Sequence, residues 1–110
     1  MTRRVLKNLE LLKALNECSS IKKREVLTKV RPEVVNAVCD CIHNVLQGNI
    51  PISSKSKQKL QKKKAVLRKL TKRGTTAKER RRILTQKGDG LFPLLPLILG
   101  PALVQVLKSI

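Results

Sequence analysis

Aromatic side chains are nearly missing: there is no tryptophan, no tyrosine and one phenylalanine, Phe92, in 110 residues. Proteins that hold single-stranded nucleic acid stack the bases on aromatic rings, so a sequence-reading module of that kind is not expected. Acids are scarce as well. Only Glu10, Glu17, Glu25, Glu33, Asp40, Glu79 and Asp89 stand against 25 lysines and arginines, a formal charge of +18. A chain this basic repels itself unless it sits beside a polyanion, either nucleic acid or an anionic membrane surface.

The reactive residues are equally few. His43 is the one histidine, and the cysteines number three, Cys18, Cys39 and Cys41. Cys39 and His43 stand at i and i+4, a spacing that places two ligands on one helix face. A metal site needs three or four ligands, and Cys41 projects roughly the opposite way, so packing roles are the expectation and no metal is assigned. Asp40 is the only acid near either thiol, which leaves no nucleophile–base–acid set. With no glycine-rich phosphate loop and no paired carboxylates, neither an enzyme nor a cofactor is expected. Met1-Thr2-Arg3-Arg4 is charged and no apolar signal core follows it, and the cysteine number is odd, so an intracellular, reducing setting is expected.

What remains reads as helices. Val5, Leu9, Leu12 and Leu15 recur at helical spacing between Thr2 and Cys18. Ser19 and Ser20 suit the start of a second helix, Ile21 to Val30, with Ile21, Val26, Leu27 and Val30 apolar. Pro32 opens a third, the most strongly patterned: Val34, Val35, Val38, Cys41, Ile42, Val45 and Leu46 form a broad stripe that Gly48 closes. Ser53 or Ser54 caps a fourth, to about Lys72, with Leu60, Ala65, Val66, Leu67 and Leu70 on a narrow apolar side. Thr76 and Glu79 have capping-box spacing for a fifth, to about Gln86. The expected fold is all-α, a small bundle of short helices with a basic helical arm and a hydrophobic C-terminal tail. It divides into a helical head over 1–50, the arm over 53–88 and the tail over 90–110.

The arm concentrates the charge. Lys55, Lys57, Lys59, Lys62, Lys63, Lys64, Arg68, Lys69, Lys72, Arg73, Lys78, Arg80, Arg81, Arg82 and Lys87 are opposed by Glu79 alone. A helix face that needed only solubility would mix signs to make i,i+4 pairs. These fifteen residues are therefore the expected nucleic-acid-binding set, contacting phosphates without a sequence code. The alternative of a helix-turn-helix over residues 21–47 is weaker, because its recognition helix would be the most apolar and least basic of the set.

The tail is the opposite. Gly90 to Leu107 carries no charge and reaches the lower limit for a membrane span, but Pro93, Pro96, Pro101 and Gly100 interrupt it. Three places are open to it: a membrane, the core of the helical bundle, or an assembly contact in which residues 101–107 make two helical turns.

Gln86-Lys87-Gly88-Asp89-Gly90, followed by Leu91-Phe92-Pro93-Leu94-Leu95-Pro96-Leu97-Ile98, resembles the precursors of the adenovirus minor core protein family (X, or mu). It is similar also to the small basic virion proteins of Maverick/Polinton elements and adintoviruses. The resemblance covers about the last quarter of the chain, and the arm matches in character, although it is lysine-rich and follows a helical head. It implies a DNA-condensing virion core protein, in the host nucleus and then in the capsid, with capsid proteins as further partners. It also implies processing by an adenovirus-type cysteine protease at Gln86, Gly88, Asp89 and Gly90, with the bond between Asp89 and Gly90 cut. The glycines read equally well as a helix C-cap and hinge. The expectation is thus a non-enzymatic viral or transposon-borne DNA-binding protein. The other class the same charges fit is a membrane-associated or membrane-disrupting protein on anionic lipid.

Overall fold

The computed structural model describes residues 3–86, 91 and 93–109, the side chain of Ser109 excepted. Among these residues there are eight helices and no strand: α1 Arg3–Lys7, α2 Leu9–Glu17, α3 Ser20–Lys29, α4 Pro32–Leu46, α5 Ser54–Gln61, α6 Lys64–Thr71, α7 Ala77–Thr85 and α8 Leu95–Ser109. The all-α bundle expected from the sequence is the fold.

The chain is built around α4. Pro32 takes the first helical position, where its missing N–H leaves no bond unmade. Val34, Val35, Ala37, Val38, Cys39, Cys41, Ile42 and Val45 are all buried, so the helix is covered over most of its circumference. One neighbour cannot do that. α1, α6, α7 and α8 each pack on it, while α2 lies against α8 and α3 against α7. A single apolar cluster results, running from Val5 through Leu12, Leu27, Ile42, Leu67 and Leu84 to Val106. Head, arm and tail residues all enter it, within extents of 31 × 30 × 30 Å.

Local chemistry sets the helix starts. The hydroxyls of Ser19, Ser53 and Thr76 accept from the backbone N–H of Lys22, Ser56 and Glu79 at 3.2–3.3 Å, each cap worth about 1 kcal/mol. The capping box at Thr76 is half made, because the Glu79 carboxylate pairs with Arg82. Gly48 and Gly74, just past α4 and α6, have φ of +79° and +92°, the left-handed conformation that a Cβ disfavours.

Two of the expected helices are each divided in the structure. The first breaks at Asn8, whose backbone leaves the helical region at φ −109° and ψ 21° and whose Nδ2 donates to the Arg4 carbonyl. The fourth breaks at Lys62 and Lys63, where Lys63 N–H turns back to the Leu60 carbonyl. A continuous helix would add Lys63 to the row that Lys55 and Lys59 already make on α5, one more like-charge pair at i,i+4. Ile21, grouped with the apolar set of its helix, is 76% exposed, and Leu27 is the one apolar side chain that α3 fully buries.

Of the three places open to the tail, it occupies the core. α8 lies against α2 and α4, burying Leu95, Ile98, Leu99, Ala102, Leu103 and Val106. It is longer than the two turns expected from Pro101. Pro93 precedes it and Pro96 is its second residue, positions that need no helical N–H, while Pro101 lies inside and removes the rung to the Leu97 carbonyl. Packing on both neighbours outweighs that lost bond. Among the described residues no helix is long and apolar enough to cross a membrane.

Candidate nucleic-acid interface

The cations of residues 53–86 divide by what surrounds them. Lys55, Lys57, Lys59, Lys62, Arg68, Lys69, Lys72, Arg73, Lys78 and Arg82 are exposed. Lys63, Lys64, Arg80 and Arg81 are half-buried, and Lys87 lies outside the described residues. Burying Leu67 and Leu70 on one side of α6 turns Arg68, Lys69, Lys72 and Arg73 to solvent. α5 reaches the core through Leu60 alone, leaving Lys55, Lys57 and Lys59 outside. Among the ten exposed cations, Arg82 is the one in an ion pair with an acid of the described residues. Its guanidinium, hydrogen-bonded to Glu79, holds that carboxyl below its ordinary range.

Arg80 and Arg81 point inward. The Arg81 guanidinium donates to the carbonyls of Leu27, Thr28 and Val30, the open C-terminal end of α3. Arg80 Nη1 donates to Asn36 Oδ1 on α4 at 2.8 Å. The arm's arginine run is thus as much a fastening between helices as a charged surface. Head cations do similar work: Lys23, only 4% exposed, gives its ammonium to the carbonyl of Cys18 at the end of α2. Arg4 grips Asp40 with two bonds of 2.9 Å. Cations suit helix C-termini because the last carbonyls are unsatisfied and the dipole is negative there.

Sequence reasoning confined the basic surface to the arm, and the fold extends it. Because Arg81 seats α7 against α3, the exposed Lys29 and Arg31 at the α3–α4 junction flank the element that carries Lys78 and Arg82. In the sequence these head cations are hidden by their dispersal among acids.

Cys39, Asp40, His43, Thr71, Arg73 and Arg80 line a cleft of about 280 Å³ between α4, α6 and α7. Among the described residues no three His, Cys, Asp or Glu side chains gather as metal ligands. Burial pushes the Cys39 thiol up to about 12, opposed by Arg80 and reinforced by Asp40. Cys41 rises to about 12 as well, again mainly through burial. Thiols held so far above neutrality contain almost none of the nucleophilic thiolate.

Of the processing residues, Gln86 is exposed at the end of α7, and Gly88, Asp89 and Gly90 lie outside the described residues. Compared with protein-family models, with curated protein sequences and with solved structures, the chain matches none.

Proposed function

We propose that the protein is a non-enzymatic binder and condenser of duplex DNA that contacts phosphates with little regard to sequence. The observation that carries this is the set of ten exposed cations on α5, α6, α7 and the residues that join them, of which nine, Lys55 through Lys78, make no ion pair with an acid among the described residues. Clustered lysines and arginines gain affinity by releasing condensed counterions, a term blind to base identity. The scale also fits. Duplex DNA carries one charge per roughly 1.7 Å, so a length equal to the molecule's 31 Å bears about 18. The ten exposed arm cations can offset about half of it. A role inside a virion, on the pattern of the adenovirus minor core proteins, belongs to the same proposal and rests on the resemblance of residues 86–98.

The same cations would also meet an anionic membrane, but most of the large apolar side chains of α8 are buried in the core and only Val104 and Leu107 are exposed. The test compares unrelated DNA duplexes and anionic vesicles across a salt series, for the native chain and for Lys57→Gln/Lys59→Gln/Lys62→Gln. All duplexes should bind alike, and the triple variant should flatten the log-affinity against log-salt slope by about 2–3. An unchanged slope, or binding to vesicles and not to DNA, overturns the proposal.

A further inference from the structure

At the junction of α4 and α5 the surface opens into a cleft of about 560 Å³, the size of a ligand pocket. Val45, Leu46, Ile50, Ile52 and Leu60 supply its walls. Leu46 and Ile52 are only half-buried, so aliphatic surface is presented to whatever enters. Lys57 and Lys64 line the same cleft, and no acid of the described residues does. The cleft does not end there. A second depression, lined by Lys57, Gln58, Gln61 and Lys62, shares Lys57 and Gln61 with the first. An aliphatic floor therefore runs on to a basic shelf.

We infer that this cleft and shelf bind an acidic peptide segment that also carries aliphatic side chains, a second kind of ligand beside DNA. Nucleobases are poor occupants of the floor, since they stack on aromatic rings and none of the described residues lining it is aromatic. A bare run of acids would satisfy the lysines and leave the floor wet. A peptide of glutamates and leucines meets both: its carboxylates face Lys57, Lys62 and Lys64 while its leucines cover Leu46 and Ile52. Because Lys57 and Lys62 are also exposed phosphate-binding cations, such a peptide excludes DNA from this part of the arm. Partners of this composition would hold the protein off nucleic acid until it is delivered.

The test uses two short synthetic peptides, one of glutamate and leucine and one in which serine replaces each leucine, at equal charge. The leucine peptide should bind the full chain at least about tenfold more tightly, the gain from covering two aliphatic side chains. It should shift the methyl resonances of Leu46, Ile50 and Ile52 and displace DNA. Ile52→Gln should remove about half of that advantage on a logarithmic scale, roughly threefold, while leaving duplex DNA binding unchanged. Equal binding of the two peptides, or unmoved Leu46 and Ile52 methyls, overturns the inference. The DNA measurement on the same samples reports separately on the phosphate-binding role.

Discussion

Arg81 on α7 donates to the Thr28 carbonyl on α3 at 2.7 Å, and the same guanidinium reaches Leu27 and Val30. A residue that reads in the sequence as one more phosphate contact is the cap of a helix fifty residues away. Arg81→Ala should cost about 1.5–3 kcal/mol, the range for hydrogen bonds to a charged group. Arg81→Lys should recover little, because one ammonium does not span three carbonyls. Arg82→Ala, which removes a surface pair, should change stability by less than about 1 kcal/mol. Denaturant melts of the three variants check this; equal effects at 81 and 82 would show that the cap is not made.

Ile42 is fully buried at the middle of α4. Truncation to alanine should cost about 2–5 kcal/mol through lost transfer energy and a residual cavity. Small domains have total stabilities of about 5–15 kcal/mol, so a clearly lowered unfolding midpoint is the expected outcome. Thermal melts followed by circular dichroism measure it. A midpoint equal to the parent's would place position 42 outside a packed core.

Helix α5 hangs on Leu60, its single buried side chain, and carries a dense lysine run. It should open locally far more often than α4, and salt or DNA should suppress that opening by relieving self-repulsion. In amide hydrogen exchange, α5 should be the least protected of the longer helices and gain protection on adding duplex DNA. Leu60→Ala should abolish protection in α5 and leave α4 nearly unaffected. Protection in α5 equal to that in α4 would contradict this.

The two buried thiols make stability fall at alkaline pH. Below about pH 9 they are protonated in both states and the full stability is present. Above it the unfolded chain releases their protons, while the folded state holds them until about 12. At pH 10 this should cost on the order of 1 kcal/mol per thiol. The diagnostic quantity is the difference in slope between the native chain and Cys39→Ala/Cys41→Ala. The variant should be less stable at neutral pH yet show a flatter decline between about pH 8 and pH 10. Parallel profiles would mean that the thiols ionise in the folded state.

Burial of α8 changes what scission between Asp89 and Gly90 would achieve. Each buried Leu or Ile contributes about 1.5–3 kcal/mol, and α8 buries Leu95, Ile98, Leu99 and Leu103. After cutting by an adenovirus-type protease, the two pieces should co-elute under native conditions and separate in denaturant. Immediate separation would show that the tail does not depend on α2 and α4. Intact protein after incubation, or scission indifferent to Gly88→Ala and Gly90→Ala, would remove the processing proposal.

Composition alone determined the charge and the near absence of aromatics, and helical spacing determined the all-α class. Helical spacing and the caps at Ser19, Ser53 and Thr76 located most of the elements, because those signals act over three or four residues. Tertiary structure decided the rest. Nothing local distinguishes Arg81 from Arg82, since their neighbours in sequence are nearly the same; only the docking of α7 on α3 sends one inward and leaves the other on Glu79. Nothing in the tail's composition chooses among bilayer, partner and core, because all three are apolar. The choice falls to α2 and α4, whose apolar faces need covering and which lie close enough for the tail to cover both at once.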